Sequence, residues 1–104
     1  MVRLDLRVVF CSEHHEWIAH CLEFDLLGSG VSKEVALASL NEAIFLQVQA
    51  TEESGNIENL IVPAPAEFLQ RFATGTDVVV GRLPFEDTDV VVIEGVSTRE
   101  CVVS

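Results

Sequence analysis

The stretch "CLEFDLLGSGVSKEVAL", residues 21–37, decides how this chain folds. An apolar run enters Gly28-Ser29-Gly30, a Ser and a Lys follow, and a helical pattern rich in Ala and Leu opens behind them. Two readings compete, a glycine cradle for a phosphate and a tight join from strand to helix. The dinucleotide fingerprint needs a third Gly three residues after Gly30, where Lys33 stands. The P-loop needs a Gly directly before its Lys, where Ser32 stands. Thr51 lies near the spot where an acidic ribose ligand belongs. The segment reads as a join whose glycines relieve crowding. No nucleotide or other cofactor is expected.

Working outward, Ser32 is the expected N-cap of the following helix. Val at position 35 rules out a capping box. Leu37, Leu40, Ile44 and Val48 recur every three or four residues with Ala36 and Ala43 beside them, one apolar stripe on a helix of about five turns. "EESGN" (52–56) ends it, with Gly55 as C-cap. Upstream, residues 3–11 alternate, with Leu4, Leu6, Val8 and Phe10 opposite Arg3, Asp5 and Arg7. "SEHHE" (12–16) is a polar break of hairpin length, and "WIAHCL" (17–22) returns as an antiparallel strand. Leu26–Val31 is a short third strand.

In the second strand Trp17, Ala19 and Cys21 face one way, Ile18, His20 and Leu22 the other. If the first set joins the core, the second leaves aliphatic side chains on the water face. Either the C-terminal segment, residues 77–104, covers them or they form a partner surface.

Downstream, "LIVPAP" (60–65) is extended, because the residue before each Pro is pushed away from helix. "AEFLQRF" (66–72) is a short helix ended by Gly75. "DVVVGRL" (77–83) and "DVVVIEG" (89–95) read as strands covered on both faces. That is more apolar surface than so short a chain covers alone, so a homo-oligomer is expected. The 104 residues suit one domain, a sheet-helix unit over 1–65 with a β-rich extension over 66–104.

Apolar residues are 49% of the chain and its mean hydropathy is +0.37, enough for a core. No apolar stretch approaches a membrane span and no signal core follows the N-terminus, so a cytoplasmic protein is expected. Net charge is −11, with seventeen acidic and six basic side chains spread over both halves. Without a basic arm to neutralise phosphates, DNA is not an expected partner, whereas a basic protein is.

Three cysteines without CxxC spacing are expected to be reduced, small apolar residues. His14 and His15 in the hairpin and His20 on a strand fall short of three or four converging ligands, so no metal site is expected. Asp5, Glu23 and Asp25 form the alternative reading, a small metal-dependent hydrolase or nuclease with carboxylates binding Mg²⁺.

Trp17, Gly30, Ser32, Ala36, Leu40, Glu42, Ala43 and Ile44, in that order, resemble the HicB-like antitoxin domain: an aromatic strand, a Gly, a hydroxyl residue two on, then a helix ending L-x-E-A-I. The likeness covers residues 3 to about 50. It implies a β-β-β-α-β unit that binds a small basic RNA-cleaving toxin, usually with a separate DNA-binding C-terminal domain. The residues after Pro65 read instead as one short helix and valine-rich strand without a basic recognition helix, so operator binding is not expected.

The expected fold is therefore α+β, a small antiparallel or mixed sheet packed on one main helix. The expected function is a non-catalytic, self-associating interaction protein. A basic partner would dock at Ile18, His20, Leu22, Glu23 and Asp25.

Overall fold

The computed structural model describes residues 2–56, 60–80 and 91–101. It is α+β, as expected. β1 (Val2–Glu13), β2 (Glu16–Cys21) and β3 (Leu26–Gly30) form an antiparallel meander. α1 (Lys33–Ser54) follows, then α2 (Ala66–Thr74), β4 (Thr76–Asp77) and β5 (Val91–Glu100). The five strands lie in the order β3-β2-β1-β5-β4, with β5 parallel to β1. Residues 91–100 therefore complete the sheet beside β1 rather than extend it at an edge. A bulge at Leu4/Asp5, where Gly95 rather than Glu94 faces Asp5, keeps the two strands in step.

The β1–β2 turn is His14-His15, with φ of 50° and 66°. Two positive φ values in a two-residue loop give the twist a tight hairpin needs, though Asn-Gly is the usual pair. The two histidines are thus in a left-handed turn, not in extended backbone, and both side chains are exposed.

One face of the sheet packs on α1. Leu6, Val8 and Phe10 from β1, Ala19 and Cys21 from β2, and Ala36, Leu37, Leu40, Ile44 and Val48 from α1 form a single core. The stripe read from the sequence is the buried stripe. Ser32 caps α1 by accepting from the Val35 N–H at 3.2 Å, and Gly55 closes the other end at φ 71°. The glycines of the join have a different cause from a strained turn. Gly28 is buried under α1, and a Cβ there would collide with the backbone of Leu40 and the carbonyl of Ala36. Bare backbone at Gly28 lets the helix axis settle onto β3.

The opposite face carries a second, smaller core of Val9, Leu22 and Ala64, with Phe68, Leu69 and Phe72 of α2 packed on it. The cover expected from residues 77–104 thus comes mainly from 64–72. The segment enters through an Ala64 N–H to Leu22 carbonyl bond of 2.9 Å. Arg99 of β5 fixes the far end, donating to the Phe72 and Ala73 carbonyls at 3.0 and 3.3 Å. A cation there complements the negative end of α2.

Two expectations fail in the C-terminal region. Val78–Val80 is not strand: Val80 is buried, Val78 packs on the main core, and Val79 is 92% exposed. The run is therefore not covered on both faces, although beyond the two-residue β4 the Val78 N–H still donates to the Thr98 carbonyl at 3.2 Å. Residues 81–83 and 89–90 of the expected strands lie outside the described residues. The cysteines differ too. Cys11 and Cys101 form a disulfide, with Cα atoms 5.4 Å apart, a usual spacing for such a bond. Sequence spacing hid the pair because 90 residues separate them. Only Cys21 is free, and burial pushes its thiol from 9.0 up to about 12.

Leu40→Ala and Ile44→Ala should each cost about 2–5 kcal/mol, because α1 loses core contacts that it cannot refill. Ser32→Ala should cost only ~1 kcal/mol. Gly28→Ala should rival the core truncations although it adds a single methyl, and urea titrations of the four variants would rank them. Closing a loop this long makes the disulfide worth about 2–4 kcal/mol. Reduction should then lower Tm by about 10 °C or more, and Cys11→Ala should abolish that response to reductant. Cys21 should resist alkylation until the protein unfolds. Its raised pKa stabilises the fold fully below pH 9.0, and that contribution should fade as pH rises towards about 12. Alkaline denaturation of Cys21→Ala should lack this component.

Candidate functional site

Between α2 and the outer face of β1, β2 and β3 lies a cleft of about 330 Å³. Strand alternation aims Val9 and Cys11 of β1, Ile18 and His20 of β2, and Leu27 of β3 toward it. Pro65, Phe68 and Arg71 close it from the helix side, and Glu13 and Asp25 add carboxylates. The spacing of Phe68 and Arg71, three residues apart on α2, places them on one helical face.

His20 is the most constrained polar group there. It is buried, and its Nε2 lies 2.7 Å from Oδ1 of Asp25. A carboxylate only accepts, so this bond sets the proton on Nε2. Asp25 reaches back from the Leu22–Asp25 turn with φ 53°, a left-handed value that Asp tolerates better than most residues. The His20 ring meets Phe68 edge-on, centroids 4.6 Å apart. Arg71 stands over the same Phe68 ring at 5.0 Å. The cleft thus has aliphatic and aromatic walls, two carboxylates, one guanidinium, and a histidine locked to one of the carboxylates. Its lining sulfur, Cys11, is already bonded to Cys101, so it is not a thiolate nucleophile.

Of the five residues expected to meet a partner, Ile18, His20 and Asp25 come together here. Leu22 does not. It is 1% exposed, in the small core with Val9 and Ala64. Glu23 is engaged elsewhere, accepting from the Arg7 backbone N–H at 2.6 Å and from Arg7 Nε at 2.7 Å. A carboxylate held by two donors contributes little free charge for steering. Asp5, Glu23 and Asp25 have separate surroundings: Asp5 adjoins Gly95, Glu23 holds Arg7, and Asp25 holds His20. Among the described residues no group of three or more His, Cys, Asp or Glu side chains is placed to hold a metal ion.

Sequence reading missed Arg71, Phe68, Leu27 and Glu13. The available signal was the pattern of α2, whose Phe68, Leu69 and Phe72 make an apolar face that must cover something. The aliphatic face of β2 was the surface in need of cover.

No helix among the described residues is long and apolar enough to cross a membrane. No protein-family model matches the chain, and neither a curated protein nor a solved structure matches it.

Asp25→Asn should keep the fold but weaken the hold on His20, since a neutral acceptor replaces a charged one. The His20 ring should then be held less firmly against Phe68, as NMR of the ring protons would show. Phe68→Ala should open the cleft and cost about 2–4 kcal/mol, less than a fully buried Phe because the ring is half-buried.

Proposed function

We propose that this chain is a non-catalytic, HicB-like interaction module that self-associates and captures a basic partner protein. The observation that carries the reading is the combination at the mouth of the β2–α2 cleft. Leu27 is 58% exposed beside the carboxylates of Glu13 and Asp25, on a chain of net charge −11. Apolar contact supplies affinity there, and negative charge speeds the approach of a cationic surface. The partner surface is accordingly Ile18, Leu27, Glu13 and Asp25, with Leu22 beneath it as support and Glu23 to one side. The order of strands and helix over residues 2–54 supports the likeness to the antitoxin family.

Self-association has separate support. α1 is apolar on its outer side too, where Val35, Phe45 and Leu46 are 48%, 58% and 62% exposed, and Val31 lies just before the helix. A surface helix with two apolar faces has one to cover. A second copy meeting α1 leaves the cleft open for the partner.

A cytoplasmic setting, expected from the sequence, sits against the Cys11–Cys101 bond, since such bonds persist mainly in oxidising compartments. Trapping thiols at lysis and counting blocked cysteines distinguishes the two.

Light scattering should give at least twice 11.4 kDa for the parent chain and 11.4 kDa for Phe45→Asp. Leu27→Asp should preserve the oligomer and abolish capture of the basic partner. Asp25→Lys should slow association, most clearly at low salt. Leu22→Asp should instead unfold the protein by burying a charge. A monomeric parent chain sinks the self-association reading, and undiminished capture by Leu27→Asp sinks the partner surface.

A further inference from the structure

The cleft carries a cation with no carboxylate opposite it among the described residues. Arg3, Arg7, Lys33 and Arg99 each face a carboxylate, on Glu94, Glu23, Glu100 and Asp77 respectively. Arg71 has no ion pair among the described residues. Its guanidinium lies over the Phe68 ring, on the wall of the cavity. Seventeen acidic side chains leave no shortage of partners in this chain, so an unpaired guanidinium at a cavity stands ready for an anion from another molecule. The same cavity carries Asp25, bonded through Oδ1 to His20, and Glu13, 3.9 Å from the exposed His14; among the described residues neither faces a Lys or Arg. The rest of the lining is largely apolar, with Ile18, Leu27 and Phe68.

We infer that the cleft binds a free apolar α-amino acid in its zwitterionic form. Arg71 takes the carboxylate, Asp25 with Glu13 takes the ammonium, and the side chain lies on the apolar walls. The charges select this class. A simple carboxylate would meet two carboxylates and the field of a strongly acidic protein, and a simple amine would meet Arg71. A zwitterion answers both and brings no net charge into the site. Size agrees, because about 330 Å³ is at the small end of ligand cavities and suits one compact molecule. His20 acts as a positioning residue, holding the Asp25 carboxylate in place through its 2.7 Å bond. The inference goes beyond the partner reading and stands whether or not a basic protein docks.

The test is calorimetry and thermal unfolding of the full chain with valine, leucine, methionine and phenylalanine at millimolar concentration. N-acetyl-leucine, which lacks the ammonium, and leucinamide, which lacks the carboxylate, are the comparison ligands. At least one free amino acid should bind and raise Tm. Both comparison ligands should bind about tenfold more weakly or worse, as expected for loss of a charged hydrogen bond. Arg71→Gln, on an exposed helix position, should keep the ligand-free Tm and lose about tenfold or more in affinity. Absence of binding by all four amino acids overturns the inference. So does undiminished affinity of Arg71→Gln. Leucinamide binding as tightly as leucine also overturns it, and would make the cleft a socket for a cationic side chain. N-acetyl-leucine binding as tightly as leucine overturns it in favour of a plain carboxylate site.

Discussion

The structure depends on how closely α1 can approach the sheet. At Gly28 the helix backbone sits where any side chain would be, against Leu40 and Ala36. That approach sets the depth at which Leu37, Leu40, Ile44 and Val48 enter the core, so the missing side chain governs the contacts of many present ones. Gly30 plays a related part, since a Cβ there would strike Val35 and the start of the helix. Ser32 then caps α1 where the chain leaves the strand, so the crossing is fixed at both its contact point and its origin.

With α1 occupying one face, the other face of β1 and β2 must be closed by something else. α2 does this incompletely. Its Phe68, Leu69 and Phe72 pack on the core of Val9 and Leu22, while a cleft remains between the helix and Ile18 and Leu27. The cleft is thus the remainder of a short helix laid over a longer sheet. Polar groups survive there because each is paired or hydrated: His20 is bonded to Asp25, and Glu13 and Arg71 reach water. A wholly apolar cover would have sealed the same surface without room for chemistry.

The meander and α1 were legible because their signals are local. Alternation gave β1, the three-and-four spacing gave the buried face of α1, and Ser32 and Gly55 marked its ends. Three features are decided by partners far along the chain and were not legible. The parallel pairing of β5 with β1, the Cys11–Cys101 bond and the docking of α2 each join segments whose local sequence says nothing of the other. The valine run at 78–80 misled because composition reports burial without direction, and only one of its three side chains is fully buried. The site shows the same division. Ile18, His20 and Asp25 were found from strand alternation and sequence proximity. Arg71 and Phe68 required knowing which face α2 would cover.

The position of β5 carries a further consequence for how the molecule is made. Parallel pairing places residues 91–100 beside residues 2–10, so one long edge of β1 has no neighbour until the ribosome has released nearly the whole described chain. Contacts of such large sequence separation form late, after the loop-closure cost has been met. During synthesis the meander and α1 can assemble, yet they present an open strand edge of the kind that recruits other chains. Before residues 91–100 have paired, that edge of β1 is available to other chains, and the acidic side chains that outnumber the basic ones oppose such association.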